Sequence, residues 1–193
     1  FISDQRKDNP NYEIKTIGSG EKSARYGEKS FYTPVTYIEP IETNRQALGF
    51  DISSNELRLE AIQGAIASSK VRSTAPIKLV QDQQGKTGIL LLKYVPSSKN
   101  GPGFVSEILR LEDFIGFTMK RLSEDAKIRV VDVDSKMTIF DNRFESTHMS
   151  ITRPLIFGGR VFDIDMSPSF DFLEMHNPVK YKLFMGIFTS LIL

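Results

Sequence analysis

The sequence predicts an α+β fold in which two antiparallel sheet units follow one another, with flanking helices. Hydrophobic residues make up 40% and charged residues 25% of the 193 residues, a composition typical of soluble globular domains. Strand-like segments surround one helix in the first half of the chain, and a second helix precedes four more strands. Because strands and helices do not alternate regularly, antiparallel sheets are predicted instead of a doubly wound parallel sheet.

The first predicted strands are Tyr12–Ile17 and Phe31–Ile38, in which apolar and polar residues alternate. Between them, Gly18–Ser30 contains the tetrapeptide Gly-Glu-Lys-Ser twice and is predicted to be a polar loop. Its first copy resembles a phosphate-binding loop. However, Glu21 interrupts the required Gly-Lys-Ser sequence, and no apolar helix follows it.

A helix is predicted after Ser53, because Ser53 and Glu56 fit a capping box. Polar residues, among them Arg58, are predicted to turn away from the sheet, and the helix is expected to stop near Ser69. Its apolar stripe consists of Leu57, Ala61, Ile62, Ala65 and Ile66.

After this helix, strands are predicted at Ala75–Gln81 and Thr87–Tyr94, joined by a turn at Gln84-Gly85. A strand at Phe104–Leu111 and an amphipathic helix at Glu112–Ser123 follow. The second half then continues with four short strands, Lys127–Asp134, Met137–Asp141, Ser150–Phe157 and Arg160–Met166, the last two joined at Gly158-Gly159.

The composition excludes several classes of function. The formal net charge is +1 and no basic block is present, so nucleic acid is not an expected partner. The sequence has no cysteine, which excludes disulfides and thiolate chemistry. His148 and His176 are the two histidines, so zinc binding and histidine-dependent acid–base chemistry have few candidates. No cofactor is expected.

Two Asp-x-Asp stretches, at Asp132 with Asp134 and at Asp163 with Asp165, suggest a metal site at first sight. A calcium loop needs a third oxygen ligand, a glycine and a distant glutamate at fixed spacing, and neither stretch provides them. On a strand, both aspartates of each pair point to the same side. They are therefore predicted to lie on a solvated edge.

The chain begins at Phe1 and ends in the apolar run Leu183–Leu193, so both ends are expected to be cut from a longer protein. Eleven residues are too short to span a bilayer, which takes about 20. The run is predicted to be the first half of a transmembrane helix. The alternative is a buried C-terminal helix or strand.

The resemblance to a known family is concentrated in the first half of the chain. Its residues are Tyr32-Thr33-Pro34-Val35, Tyr37-Ile38-Glu39-Pro40, Asn44, Leu48-Gly49-Phe50-Asp51, Arg58, Thr74-Ala75-Pro76-Ile77-Lys78-Leu79 and Gly88-Ile89-Leu90-Leu91. In this pattern the sequence resembles the CHASE domain, the extracytoplasmic sensor module of bacterial and plant membrane receptors. The resemblance extends over about three quarters of the chain.

The resemblance implies two tandem PAS-like units, a membrane-distal unit at residues 1–111 and a membrane-proximal unit at 112–182, with a transmembrane helix starting at 183–193. Phe1–Lys7 would then be the tail of a dimerising helix. The implied function is a small-molecule sensor, homodimeric, on the periplasmic or extracellular side of an inner or plasma membrane. The chain itself would not be an enzyme. The parent protein would carry a cytoplasmic diguanylate cyclase, phosphodiesterase or histidine kinase domain.

The residues predicted to contact the ligand are Tyr37, Glu39, Thr74, Leu92 and Tyr94. Similar modules in plant cytokinin receptors bind an adenine derivative through an aspartate and through a threonine that looks like Thr74. The position of the aspartate falls near Glu39 or Pro40 here, so the aspartate itself is absent, although Glu39 could form similar hydrogen bonds. The alternative roles are ordinary strand packing for Thr74 and the tyrosines and an exposed carboxylate for Glu39.

Three polar residues of the resemblance, Asn44, Asp51 and Arg58, are predicted to be structural. Arg58 is expected to pair with Asp51 across the start of the helix. Two alternative functions remain open, a dimerisation, spacer or protein-interaction module and an enzyme with Glu39 or Asp51 as base. Between Phe31 and Lys93, however, no nucleophile, base and oxyanion donor come together.

Overall fold

The computed structural model describes residues 2–16, 31–78, 87–97, 101–122, 126–143 and 150–169. The helices are α1 (Ile2–Asp8), α2 (Ile41–Asn44), α3 (Glu56–Ser68) and α4 (Leu111–Leu122), with 3-10 turns at Arg45–Ala47 and Ile52–Ser54. The strands are β1 (Arg72–Ser73), β2 (Ile77–Lys78), β3 (Thr87–Val95), β4 (Gly103–Leu109), β5 (Ala126–Asp132), β6 (Thr138–Asp141), β7 (Ile151–Phe157) and β8 (Arg160–Pro168).

The first sheet is built around β3, which pairs with β4 along one edge and with β1 and β2 along the other, always antiparallel. Helix α3 packs on this sheet through Ala61, Ile62 and Ala65. The small side chains let the helix approach the strands closely. The first apolar cluster consists of Phe50, Ile52, Ala61, Ile62, Ala65, Ile77, Leu90 and Leu92.

The second sheet has the order β6-β5-β8-β7, and all its pairs are antiparallel. Gly158 and Gly159 form the turn between β7 and β8 with φ values of +57° and +77°, which confirms the predicted hairpin. The predicted α+β fold with two antiparallel sheet units is thus confirmed.

A second apolar cluster joins the two sheets. Ile89 of β3 is completely buried there against Val130 of β5, Ile139 of β6 and Phe162 of β8. Leu111, at the start of α4, completes the buried part. Residues predicted to belong to separate units therefore share one core.

The β7–β8 turn also contacts the first sheet directly. The amide of Ser73 in β1 donates a hydrogen bond of 2.8 Å to the carbonyl of Gly158. A Cβ atom added at Gly158 would lie 2.6 Å from the Cβ of Ser73 and 2.8 Å from its amide nitrogen. Glycine is therefore required at position 158 both by its positive φ and by the close approach of β1.

The predicted strand at Phe31–Ile38 is wrong as a regular element. We call residues 31–44 the pocket arm. Its extended part pairs with the corner at 49–52 through three bonds: Val35 N to Phe50 O at 2.9 Å, Gly49 N to Val35 O at 2.8 Å and Ile52 N to Thr33 O at 3.0 Å. The pairing is short because the corner turns at once into the 3-10 turn at Ile52–Ser54.

The predicted N-terminal strand is reduced to one bridge, between Lys15 and Phe50. Gly49 allows this approach, since its φ is +78° and a Cβ atom there would lie 1.8 Å from the carbonyl oxygen of Glu13. The corner therefore lies between the N-terminal segment and the pocket arm and bonds to both.

The start of α3 also differs from the prediction. Asn55 caps the helix, and its side-chain oxygen accepts a bond of 3.3 Å from the amide of Arg58. The Ser53 hydroxyl instead donates to Asp51 at 2.7 Å. The predicted stop is confirmed, because Ser69 adopts a left-handed conformation with φ of +53°.

The solvated edge predicted for Asp132 is wrong. Asp132 is completely buried and accepts hydrogen bonds from Arg160 Nε at 2.9 Å and Arg160 Nη2 at 2.7 Å. Asp134 is exposed and lies 3.4 Å from the same guanidinium. β5 ends at Asp132 and residues 133–135 form a turn, so the two aspartates do not share the strand face on which the prediction depended.

Several predicted features lie outside the described residues: the Gly18–Ser30 loop, the turn at Gln84-Gly85, both histidines and the apolar run Leu183–Leu193. In the part of the chain that the structure describes, no helix has the length and hydropathy needed to cross a membrane.

Candidate ligand-binding site

A cavity of about 1230 Å³ lies between the pocket arm and β4. Residues 32–40 of the arm form one wall and residues 103–108 of β4 form the other. Asp4 and Gln5 of α1 lie at its edge. Its floor is made by the buried side chains of the first apolar cluster and by one cation, namely Phe50, Ile52, Leu90 and Arg58.

Asp51 holds the pocket arm in place. Its Oδ1 atom accepts from the amide and hydroxyl of Thr33, at 2.9 and 3.3 Å, and from the amide and hydroxyl of Ser53, at 3.1 and 2.7 Å. Asp51 is completely buried, so these bonds replace the water it gives up on folding. They fix the arm relative to the floor of the cavity.

Arg58 lies in the first turn of α3 and is only 3% exposed. Its guanidinium carbon lies 5.0 Å from the centre of the Phe50 ring. Within the described residues, its Nε and Nη1 atoms have no hydrogen-bond partner. Burial lowers the pKa of Arg58, because desolvation disfavours the charged form.

The predicted pairing of Arg58 with Asp51 is therefore wrong. The Asp51 carboxylate is engaged by Thr33 and Ser53, while the guanidinium stacks on Phe50 instead. The prediction that Arg58 turns away from the sheet is wrong for the same reason.

The sequence carried a signal for the burial of Arg58. Ala61, Ile62 and Ala65 follow it at spacings of three, four and seven residues, which places position 58 on the buried face of the helix. Sequence reasoning gave its charge more weight than its spacing.

Tyr37 and Glu39 lie together at the rim of the cavity. The Tyr37 side chain is highly exposed, and its hydroxyl donates to Glu39 Oε2 at 3.2 Å. This hydrogen bond and the negative charge of Glu39 raise the pKa of Tyr37 above its ordinary value. Both residues line the cavity, where they offer a polar edge opposite the apolar floor.

The other three predicted contact residues are not among those that line the cavity. Thr74 is completely buried, and its hydroxyl accepts from the amide of Leu90 at 3.0 Å. Leu92 is part of the first apolar cluster. The Tyr94 ring packs on Phe104 at 5.4 Å between centroids. Their roles in ligand binding stay predictions.

The contribution of β4 to the cavity was not predicted. Ser106 is among the β4 residues that line it, and this residue is exposed. Which face of an edge strand borders a cavity depends on the position of the pocket arm, and the local pattern of β4 does not carry that information. Among the described residues, no group of acidic or histidine side chains is arranged to hold a metal ion.

The chain matches a protein-family model described as the CHASE domain over residues 1–140. No curated protein matches it. Among solved structures, it is similar to an extracellular ligand binding receptor from Desulfohalobium retbaense DSM5692, with a TM-score of 0.50 and 20% sequence identity. The match covers 66% of this chain and 27% of that one, so this chain spans about a quarter of the receptor's length. At this identity the likeness concerns the fold.

Proposed function

We propose that this chain, which belongs to the CHASE domain family of extracytoplasmic sensor modules, binds a small molecule in the cavity between the pocket arm and β4. The observation that carries the proposal is the cavity itself, with an apolar floor and a few polar groups at its edge. Small-molecule sites in proteins have this character and occupy about 300–1000 Å³. The cavity therefore has room for a metabolite.

Tyr37 and Glu39 would bind the polar part of such a ligand at the rim, because both line the cavity and already share a hydrogen bond. Thr74, Leu92 and Tyr94 do not line the cavity and would act indirectly, by supporting residues that do. Thr74 supports this role by bonding to Leu90, which does line the cavity.

Transmission of the signal would begin at β4. This strand forms one wall of the cavity and leads directly into α4, which contacts both β3 and β6. A ligand that displaces β4 would therefore move α4 between the two sheets. The proposed parent protein is a homodimer. In each subunit the unit at 1–111 binds the ligand, the unit at 112–182 transmits the conformational change, and a membrane helix from 183 onward connects to a cytoplasmic output domain. The receptor to which the chain is similar is described as ligand binding, in agreement with this role.

The proposal is tested by a thermal-stability screen of the whole chain against a metabolite library, since a ligand that binds only the folded state raises the melting temperature. Two matched variants locate the site. Ser106→Trp fills the cavity from an exposed position of β4, and Arg153→Trp places the same side chain on an exposed position of β7, away from the cavity.

A hit is expected to stabilise the natural chain and Arg153→Trp but not Ser106→Trp. Equal stabilisation of both variants would place binding elsewhere, and the absence of any hit would contradict the sensor function.

A second candidate, a dimerisation or protein-interaction module, is favoured by α4. Phe114 and Phe117 on this helix are both more than half exposed. Large exposed aromatic side chains are enriched in protein interfaces. Sedimentation of the chain and of a Phe114→Ser, Phe117→Ser variant distinguishes the candidates. A dimer that the two substitutions dissociate, together with no hit in the screen, would favour the second.

A further inference from the structure

We propose that the ligand carries a carboxylate group and that Arg58 binds this group at the floor of the cavity. The inference rests on the proposed function, which it makes more specific. Its starting point is that Arg58 both lines the cavity and is almost completely buried, with two nitrogen atoms that have no partner among the described residues.

An unpaired buried guanidinium is an expensive feature for a folded protein. The group stays protonated in proteins, so its burial removes a full charge from water. Buried charges are therefore paired as a rule, and one without a partner calls for an explanation, such as a ligand that binds there. The stacking on Phe50 offsets only part of this cost.

The same chain shows how it treats a buried arginine that has a structural role. Arg160, also buried, is held by two hydrogen bonds from its guanidinium to Asp132 and by a further ion pair with Asp134. Near Arg58 the neighbouring carboxylate is Asp51, and four donors from Thr33 and Ser53 already occupy its Oδ1 atom. The fold thus supplies hydrogen-bond acceptors for the buried Arg160 but leaves Arg58, which lies at a cavity, without them.

The shape of the vacant donor set favours a carboxylate. Nε lies on one hydrogen-bonding edge of the guanidinium and Nη1 on the other, so each edge keeps an unused donor. A planar carboxylate could bind either edge with two parallel bonds, one to the unused donor there and one to Nη2, which both edges share. The apolar floor beside it, formed by Phe50, Ile52 and Leu90, would take the hydrocarbon part of the ligand.

The other charges around the cavity disfavour a doubly charged anion such as phosphate. Among the described lining residues, Asp4, Glu39 and Glu107 are acidic, and Arg110 is the one cation besides Arg58. A single negative charge held deep in the cavity is compatible with this acidic surround. An amino acid would in addition place its ammonium group within an acidic rim.

The test compares carboxylic acids with their uncharged amides on the whole chain. The probes are acetate, butyrate and benzoate, each against acetamide, butyramide and benzamide, with glycine, leucine and inorganic phosphate as further arms. Melting temperature and titration calorimetry are measured at constant ionic strength for the natural chain and for Arg58→Met. Arg153→Met, at an exposed arginine of β7, is the matched control.

We expect at least one acid or amino acid to bind the natural chain and Arg153→Met, while its affinity for Arg58→Met falls at least tenfold. The amides should have no effect. The unliganded Arg58→Met variant should melt no lower than the natural chain, because it loses an unpaired buried charge, and this shows that the variant is folded. Binding of amino acids alone would identify a zwitterion as the source of the carboxylate.

Five outcomes would overturn the inference. Equal stabilisation by acids and amides, undiminished binding to Arg58→Met, or binding of phosphate alone would each contradict a carboxylate site while leaving a small-molecule sensor in place. If no probe binds but the library yields a neutral ligand, only the inference fails. If neither yields a ligand, the proposed function fails with it.

Discussion

Some buried charged residues of this chain are paired within the fold and others are not. Asp132 belongs to the paired kind, which has a structural role. Because Asp132 and Arg160 enclose each other, removal of the carboxylate leaves the buried guanidinium without its two hydrogen bonds and with the exposed Asp134 as a counter-charge. We expect Asp132→Ala to lower the free energy of unfolding by about 3–5 kcal/mol, measured by urea denaturation. The double variant Asp132→Leu, Arg160→Met should recover most of this loss, since no charge remains. A double variant as unstable as the single one would contradict the pairing argument.

The same residue makes stability depend on acid pH. Burial by itself would raise the pKa of Asp132, but hydrogen bonds from Arg160 and Ser135 outweigh it and hold the pKa below its ordinary value. A carboxyl whose pKa is depressed by folding stabilises the protein above its unfolded pKa, about 3.9, and this contribution disappears as the pH falls through the folded value. The melting temperature of the natural chain should therefore fall more steeply below pH 4 than that of Asp132→Asn. Parallel curves would show that Asp132 does not govern the acid transition.

Replacement of Gly49 tests two separate costs of an added Cβ atom, the backbone strain of a positive φ and the steric overlap with a neighbouring segment. Gly49→Ala adds the cost of a positive φ, roughly 1–2 kcal/mol, and forces a Cβ atom against the backbone of Glu13. Gly101→Ala is the matched control, because φ there is +92° but nothing lies within 4 Å of the added atom. Denaturation midpoints should show a clearly larger loss for Gly49→Ala. Equal losses would mean that the N-terminal segment does not pack on the corner.

At the scale of elements, the start of α3 positions both the helix and the cavity. Asn55→Ala should cost about 1 kcal/mol in urea denaturation, because the amide of Arg58 loses its capping oxygen. Asn55→Ser should restore most of it, since serine also caps helices. Failure of serine to rescue would indicate that Asn55 contributes something other than the cap.

Elements with strong local patterns were predictable from the sequence, and those defined by distant partners were not. The strand-like residues Ile151–Phe157 and the paired glycines after them specify a hairpin within a few residues, and the structure contains it. The extended part of the pocket arm was predicted as a strand from its alternation, but its partner is a four-residue corner, and no local pattern reveals how short that partner is. Arg58 was missed for a different reason, since its spacing to the buried residues of α3 did indicate burial but its charge was given more weight.

At the scale of the whole molecule, the two sheets meet at the β7–β8 turn. Gly158→Asn should disturb this contact strongly, because its Cβ atom would overlap the backbone of Ser73. Gly159→Asn should be milder, since there the added atom meets only the movable end of the Arg72 side chain. Asparagine tolerates a positive φ at both positions, so the comparison isolates the contact.

Hydrogen exchange should therefore show faster opening of β1 in Gly158→Asn than in Gly159→Asn. Equal protection in both variants would mean that the turn does not hold the sheets together.

The burial of Ile89 in the second apolar cluster limits recombination between domains of this kind. A chimera that joins the first half of this chain to the second half of a relative at position 111 would set Ile89 against side chains that did not evolve beside it. Recombination at this junction would then tend to yield poorly packed hybrids. This packing therefore favours inheritance of both halves of the domain together.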